Sequence, residues 1–381
     1  MPDNLLKTYL EKSSVEFEKP QLDTAIGGLG RFRLSNWPTV IDKGPILPSG
    51  RRLWIKRDDL TGIGLGGNKL RKLEFLLGEA SLMGCDVIVT SGAAQSNHCR
   101  LVAACGVMLG FEVHVVLASN DFPLQKSRNS KGSKLSGNQL LMELFGATLY
   151  FVEGNVNAAR DEAGSIAKAL ELKGRKPYQI VPGGSNGLGA IGYAIAFSEI
   201  MNQLQSRSAR ISEIYVSLST GGTLAGLCVG RALFRQAGLR SGISPTKIPK
   251  VIGVDVAPSS DNAKVALQNA KDQVELISKE CLEVLKREGS ILKEDDINII
   301  EPFSGENYTP YGTASPESDE AMIFGARRCG IILDSTYTAK AMAGLLKCEM
   351  NGEFDQSGDP MFLHTGGHPA LFAQDNSISV I

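Results

Sequence analysis

The sequence has no excess of charge of either sign: 40 Lys+Arg stand against 41 Asp+Glu, a net of −1. That excludes a nucleic-acid binder resting on a basic field and an acidic chain kept disordered by its own repulsion. No run of 18 apolar residues occurs, so no membrane span is expected. The opening residues, Met1-Pro2-Asp3-Asn4-Leu5-Leu6-Lys7-Thr8, contain neither an apolar segment nor an Arg/Ser-rich amphipathic stretch, and no signal or transit peptide is expected. The seven cysteines never form a CxxC pair, are odd in number and fall mostly in apolar runs. A disulfide framework is disfavoured, and reduced thiols in a cytoplasmic compartment are expected. No internal repeat, low-complexity tract or clean linker interrupts the 381 residues.

What is abundant is glycine, 42 residues without a collagen-like period, set in a chain that is 43% hydrophobic and 21% charged. These values are ordinary for a globular α/β protein with many tight turns. Short β-branched runs alternate with helical patterns from residue 53 onward. Strands are expected near 53–56, 86–90, 113–117, 147–152, 178–181, 213–218, 250–255, 297–300, 331–333 and 361–364. Helices are expected between them, including 156–172, 261–287, 318–329 and 337–348. Such alternation gives parallel sheets covered on both faces. So many strands exceed one comfortable sheet, which predicts two α/β domains, one inserted in the other. Residues 1–50 are turn-rich and read as an irregular wrap, and 119–138 as a polar insert.

Several turns carry chemistry. Lys69 follows Gly66-Gly67-Asn68 and opens an amphipathic helix, where the dipole and the neighbouring Arg71 and Lys72 would lower its pKa, as a Schiff-base lysine requires. The alternative is a solvated basic helix face. Gln95-Ser96-Asn97-His98 lies on a strand-to-helix turn: Ser96 or Asn97 caps the next helix, or the free amides grip a substrate carboxylate with the Ser96 hydroxyl at the reacting carbon. Ser219-Thr220-Gly221-Gly222-Thr223 offers helix-start amides and hydroxyls to a phosphate, without the Gly-Lys-Ser/Thr of a nucleotide P-loop. Asp334-Ser335-Thr336-Tyr337-Thr338 and His364-Thr365-Gly366-Gly367 read as ligand-facing turns or as ordinary connections. Gly62-Ile63-Gly64-Leu65-Gly66-Gly67 matches a dinucleotide fingerprint, but Asp86 opens a strand where the fingerprint expects an acid to end one. His364 and His368 are split by two glycines and lack the helical spacing of a metal pair, so no metal is expected.

In order, Ile55-Lys56-Arg57-Asp58-Asp59, Gly67-Asn68-Lys69-Leu70-Arg71-Lys72-Leu73-Glu74, Gln95–His98, Pro182-Gly183-Gly184-Ser185-Asn186, Gly221-Gly222-Thr223 with Ala225-Gly226, and His364–Gly367 resemble the D-cysteine desulfhydrase / 1-aminocyclopropane-1-carboxylate (ACC) deaminase family over roughly residues 16–373. The resemblance implies an α/β fold of two three-layer α/β/α domains with mostly parallel twisted sheets, of the tryptophan-synthase-β-like type (fold type II of pyridoxal 5′-phosphate enzymes). It implies a larger domain of residues 1–73 and 188–381, a smaller inserted one of 74–187, and an active site in the cleft between them. It also implies pyridoxal 5′-phosphate (PLP) as cofactor, a small amino acid as substrate, and a homodimer. By the same resemblance Lys69 forms the Schiff base and shuttles the α-proton. Asn97 and Ser219–Thr223 hold the cofactor, and Gln95, Ser96, Asn97, His98, Tyr311 and Tyr337 face the substrate. The Tyr311-Gly312-Thr313-Ala314-Ser315-Pro316 stretch departs from the family pattern.

Two positions separate the activities within that family. ACC deaminases carry Glu after the tyrosine and Leu after the histidine, where this chain has Thr338 and Thr365. A carboxylate beside the pyridine nitrogen favours its protonated form and strengthens the electron sink, as cyclopropane ring opening demands. A threonine hydroxyl offers less, which suffices for β-elimination of a good leaving group. The expectation is therefore D-cysteine conversion to pyruvate, hydrogen sulfide and ammonia, with L-cysteate sulfite elimination and ACC deamination as rivals.

Overall fold

The computed structural model describes residues 21–119, 135–207, 209–240, 248–303 and 308–373. Most of the polar insert expected at 119–138 lies outside them. In chain order the strands and helices are β1 (Leu22–Ile26), β2 (Leu29–Phe32), β3 (Ile41–Ile46), β4 (Arg52–Arg57), α1 (Lys69–Leu82), β5 (Val87–Ala93), α2 (Asn97–Met108), β6 (Glu112–Ala118), α3 (Gly137–Leu144) and β7 (Thr148–Val152). They continue with α4 (Val156–Leu172), β8 (Pro177–Ile180), α5 (Gly187–Gln205), β9 (Ile211–Leu218), α6 (Gly222–Arg240), β10 (Lys250–Asp255), α7 (Ala263–Val284), β11 (Asn298–Ile300), α8 (Pro316–Phe324), α9 (Thr338–Met350) and β12 (Asp359–His364).

Three sheets form, and two of them build the body. The larger runs β11-β10-β9-β12-β4-β3 and is parallel except for β3. The smaller runs β7-β6-β5-β8 and is parallel throughout. β1 and β2 pair as a separate antiparallel ribbon. Every residue of β5 is buried, as expected of a central parallel strand covered on both faces. Two expectations fail here. Residues 21–50 are not merely a wrap: β3 extends the larger sheet, and Phe32, Leu34, Ile41 and Leu47 are core residues. Ile331–Leu333 form no strand; the segment is held instead by Ile331 N–H donating to Gly325 O (3.1 Å) and by Ile332 O, 3.0 Å from His364 Nε2. The helix expected over 318–329 is α8, a short π-turn over Gly325–Cys329, and a left-handed stop at Gly330 (φ 65°). The boundary expected between residues 73 and 74 falls inside α1, which is continuous there.

α1, α5 and α6 pack tightly against each other. A Cβ on Gly192 of α5 would lie 2.2 Å from Arg71 O of α1, and one on Gly226 of α6 would lie 2.2 Å from Ala190 O of α5. Only glycine permits these approaches. Their consequence is positional: the N-termini of α1 and α6, which carry Lys69 and Thr223, are held in one rigid block. Beneath α1 lies a buried ionic net. Arg71 donates to both oxygens of Asp58 (2.7 and 2.9 Å) and of Glu199 (2.8 and 2.9 Å). Tyr193 donates to Asp58 (2.6 Å), and Lys56 donates to Glu199 (2.5 Å), Thr39 O (2.7 Å) and Gln203 (2.7 Å). Lys56 and Asp58 of the Ile55–Asp59 block are thus structural, and Arg57 closes the block by pairing with Asp59 and Asp42. No helix among the described residues is long and apolar enough to cross a membrane.

Candidate active site

A cavity of about 510 Å³ opens at the carboxyl ends of strands from both body sheets, the position where open α/β sheets take ligands. Gly92 and Ala93 end β5, Ser217 and Leu218 end β9, and Thr365 follows β12; all line the cavity. Helix starts converge on it from α1 (Lys69), α2 (Asn97, His98), α4 (Val156, Asn157) and α6 (Thr223, Leu224).

Lys69 reaches the cavity with no hydrogen bond or ion pair among the described residues, and burial pulls its amine down to about 8. Arg71 does not contribute as expected, because its guanidinium turns away to Asp58 and Glu199. Nor is the helix face solvated: Arg71 and Lys72 are both buried. Burial and then Lys69 hold the Lys72 amine well below its ordinary value. It donates to Gly183 O and Ser185 Oγ, each at 3.1 Å.

Around the start of α6 the donors fit a phosphate. Ser219, Thr220, Gly221 and Thr223 line the cavity, whereas Gly222 lies behind its wall with N–H bonds to Thr220 O (3.0 Å) and Ser185 Oγ (3.3 Å). Gly221 turns at φ +80°, and a Cβ on Gly222 would meet Lys72 Nζ at 2.8 Å. Helix-start amides, three hydroxyls (Ser185, Thr220, Thr223) and a buried amine form a donor-rich cradle for an oxyanion. With the unpaired Lys69 amine in the same cavity, this set fits a phosphorylated aldehyde such as pyridoxal 5′-phosphate.

The second turn does both things the sequence allows. Ser96 is the N-cap of α2, its Oγ accepting from Cys99 N–H (3.2 Å), and it also lines the cavity. Asn97 lines it too, its Oδ1 accepting from Asn138 Nδ2 (2.9 Å). His98 lines it with Nε2 2.9 Å from Thr90 Oγ1; burial, Lys69 and Lys72 keep the ring neutral by holding its pKa well below the ordinary value. Gln95 does not face the cavity. Its carboxamide accepts from Asn138 N–H (2.8 Å) and donates to Ser136 O (3.1 Å), bracing α2 to the start of α3.

Tyr311 and Tyr337 line the cavity with hydroxyls hydrogen-bonded to each other and rings edge-to-face, centroids 5.8 Å apart. Burial, then Tyr311, pushes the Tyr337 phenol well above its ordinary value, so it stays protonated. Thr365 also lines the cavity, its Oγ1 3.3 Å from Ser217 Oγ. Thr338 does not: its hydroxyl donates to Asp334 Oδ1 (2.6 Å) and accepts from Asp334 N–H (2.7 Å), closing the turn that starts α9. The expected place of Thr338 at the cofactor ring therefore gives way to a turn-closing one. Gly62–Gly67 do not line the cavity either. Gly66 and Gly67 fold against Asp59 and Thr365, and Thr61 Oγ1 accepts from Gly67 N–H (2.8 Å), so the dinucleotide reading has no ligand-facing loop.

Sequence reasoning missed Asn155, Asn157, Ser217 and Ser259 on the cavity wall, and Lys72 and Ser185 behind it. Asn155 to Asn157 had a signal: an N-cap asparagine directly after a parallel strand, at its carboxyl end. Ser259 had none, since it sits on an irregular link between β10 and α7.

A family model described as pyridoxal-phosphate dependent enzyme matches residues 36–366. A D-cysteine desulfhydrase from Klebsiella pneumoniae (strain 342) is 37% identical over 351 residues, covering 90% of this chain and 95% of its own. A D-cysteine desulfhydrase from Serratia proteamaculans (strain 568) is 36% identical over 325 residues, covering 85% and 89%. The crystal structure of an ACC deaminase homologue superposes with a TM-score of 0.74 at 31% identity, covering 93% of this chain and 97% of that one.

Proposed function

Since this chain belongs to the family of pyridoxal-phosphate dependent enzymes, we propose that it eliminates the β-substituent of a small amino acid, D-cysteine above all, to yield pyruvate, hydrogen sulfide and ammonia. One observation carries the choice of reaction: among the described residues no carboxylate lines the cavity. When bound, pyridoxal phosphate supplies the electron sink for the α-carbon. Ser217 and Thr365, whose hydroxyls lie 3.3 Å apart on the cavity wall, would offer its ring nitrogen a neutral partner, and a neutral hydroxyl leaves the nitrogen less readily protonated than a carboxylate does. A moderate sink suffices where thiolate leaves readily and is poorly matched to opening an unactivated ring. The relatives named D-cysteine desulfhydrase support the same substrate.

The residues then divide the work. The amide donors and hydroxyls at the start of α6, backed by Lys72, hold the phosphate. Ser96 and the first amides of α2 grip the substrate carboxylate. Lys69, close to half deprotonated near pH 8 by its burial, takes the α-proton, as a general base poised near operating pH should. Tyr337, kept protonated by its burial and by Tyr311, orients the β-substituent together with Tyr311 and can hand a proton to the departing sulfur. Seven unpaired cysteines, five of them buried, support a reducing compartment, and family likeness supports a homodimer.

The test is a substrate panel of D-cysteine, L-cysteate and ACC, read by pyruvate or 2-oxobutyrate and by sulfide, with Lys69→Ala beside the wild type. D-Cysteine turnover with sulfide release is expected, with a loss in Lys69→Ala of roughly 10²–10⁴-fold and of the yellow cofactor band. ACC turnover without sulfide release overturns the proposal.

A further inference from the structure

Lys340 stands on the first turn of α9, three residues beyond Tyr337, with a side chain that has no solvent exposure (0%). A lysine so placed needs a reason, because burying an ammonium is costly unless its donors are met. Its Nζ donates to Val256 O (3.3 Å) and Pro310 O (3.5 Å) and lies 5.2 Å from the centre of the Phe303 ring. Burial draws the amine down to about 8, against the pull of Asp255 and Asp334, which face it from the end of β10 and from the turn before α9. Neither carboxylate is hydrogen-bonded to it: Asp255 accepts from Ala257 N–H (3.1 Å), and Asp334 is taken up by Tyr337 and Thr338.

The carbonyls and the ring are informative because of what they belong to. Phe303 O accepts from Thr309 N–H (3.1 Å), so Phe303 lies against the residue that precedes Pro310. Lys340 contacts both Phe303 and Pro310, through the ring of the one and the carbonyl of the other. The next residue is Tyr311, followed by Gly312 turning at φ +77°. Val256 in turn donates its N–H to Leu218 O (3.0 Å), and Leu218 lines the cavity just before Ser219. One amine thus joins the helix of Tyr337, the segment of Tyr311 and the strand end that leads into the phosphate cradle.

We propose that Lys340 is a positioning residue that sets Tyr311 against Tyr337. The proposal rests on the reading that the tyrosine pair acts in β-elimination. Lys340 touches neither substrate nor cofactor; it fixes where the loop-borne phenol sits relative to the helix-borne one. Displacing a reacting group by about 1 Å costs roughly 10²-fold in rate.

The test combines Lys340→Met, Lys340→Arg, Tyr311→Phe and the double variant Lys340→Met/Tyr311→Phe, all as holoenzyme. Lys340→Met is expected to lower kcat by roughly 10²-fold with a smaller change in KM and an unchanged cofactor spectrum. The double variant is expected to be no slower than Tyr311→Phe alone, and Lys340→Arg to recover part of the loss. Multiplicative losses in the double variant overturn the proposal. A second readout does not depend on turnover: in protein labelled with 3-fluorotyrosine, the ¹⁹F resonance of Tyr311, identified by its absence in Tyr311→Phe, should move in Lys340→Met and largely return in Lys340→Arg. An unmoved resonance also overturns it. If the wild type turns over none of the three substrates, the proposed reaction fails, and the fluorine experiment still decides the role of Lys340.

Discussion

On one side of α1, Arg71 meets Asp58 and Glu199 through four hydrogen bonds of 2.7–2.9 Å and lies over the Trp37 ring at 4.0 Å. On the other side, Lys69 and Lys72, about one helical turn apart, are enclosed with no carboxylate partner among the described residues. The first group is compensated and stays charged: burial alone would raise the Asp58 carboxyl, but Arg71, Lys56 and Tyr193 hold it below the usual carboxylate range. The second group is uncompensated, so burial drives both amines toward neutrality. The same helix therefore carries a stability device on one face and a chemical device on the other. What separates them is whether a counter-charge was placed within reach.

Removing the compensation should produce the largest effect. Arg71→Met leaves Asp58 and Glu199 buried without their partner, and a cost of about 3–5 kcal/mol is expected, read as a fall in the urea midpoint of the apoprotein. A midpoint within error of the wild type would show that the net is not the anchor of α1.

The uncompensated face should respond to pH in a different window, on the alkaline side. The pKa of Lys69 falls from 10.5 in the unfolded chain to about 8 in the folded one. Between those values the unfolded chain holds a proton that the folded one lacks, so apoprotein stability should rise as pH climbs from about 8 to 10.5. In Lys69→Met that rise should be shallower, as measured by urea midpoints across the range; an identical slope would mean that Lys69 is charged in the folded protein. Asp58 gives the same sign in a lower, acidic window. Its folded pKa is depressed, so its contribution is complete above the unfolded carboxylate value and is lost as pH falls through the folded one.

The smallest effect falls on the turn that serves both purposes. Ser96→Ala removes the N-cap of α2 and should cost about 1 kcal/mol, while raising KM for the amino acid well beyond what so small a destabilisation explains. Equal KM values, set beside a lowered midpoint, would leave Ser96 a cap and nothing more.

Much of this was legible along the chain. Lys69, Ser96, Asn97 and most of the Ser219–Thr223 turn line the cavity where a local signal marks them, a glycine pair, a cap or a strand end, whereas Tyr337, which lines it too, is marked through the family resemblance. The same local signals misled at Gln95 and Thr338. Both have the right residue type on the right turn, yet the Gln95 side chain is drawn to Asn138, 43 residues away, which leaves no trace in a local pattern, and the Thr338 hydroxyl is drawn to Asp334, four residues back, in a turn-closing bond that competes with a ligand-facing one. The Ile331–Leu333 run shows the same limit, since three apolar residues read as a strand whether or not another strand lies alongside.

The sequence by itself determined most of the order of strands and helices from residue 53 onward and marked the turns that line the cavity, because periodicity, glycine turns and helix starts act over a few residues; the cofactor class came through the family resemblance. Which buried charges are paired, which hydroxyls face the cavity and what Lys340 holds were decided only when distant segments came into contact. Electrostatics and close packing depend on distances of a few ångströms, and neighbours in space need not be neighbours in the chain.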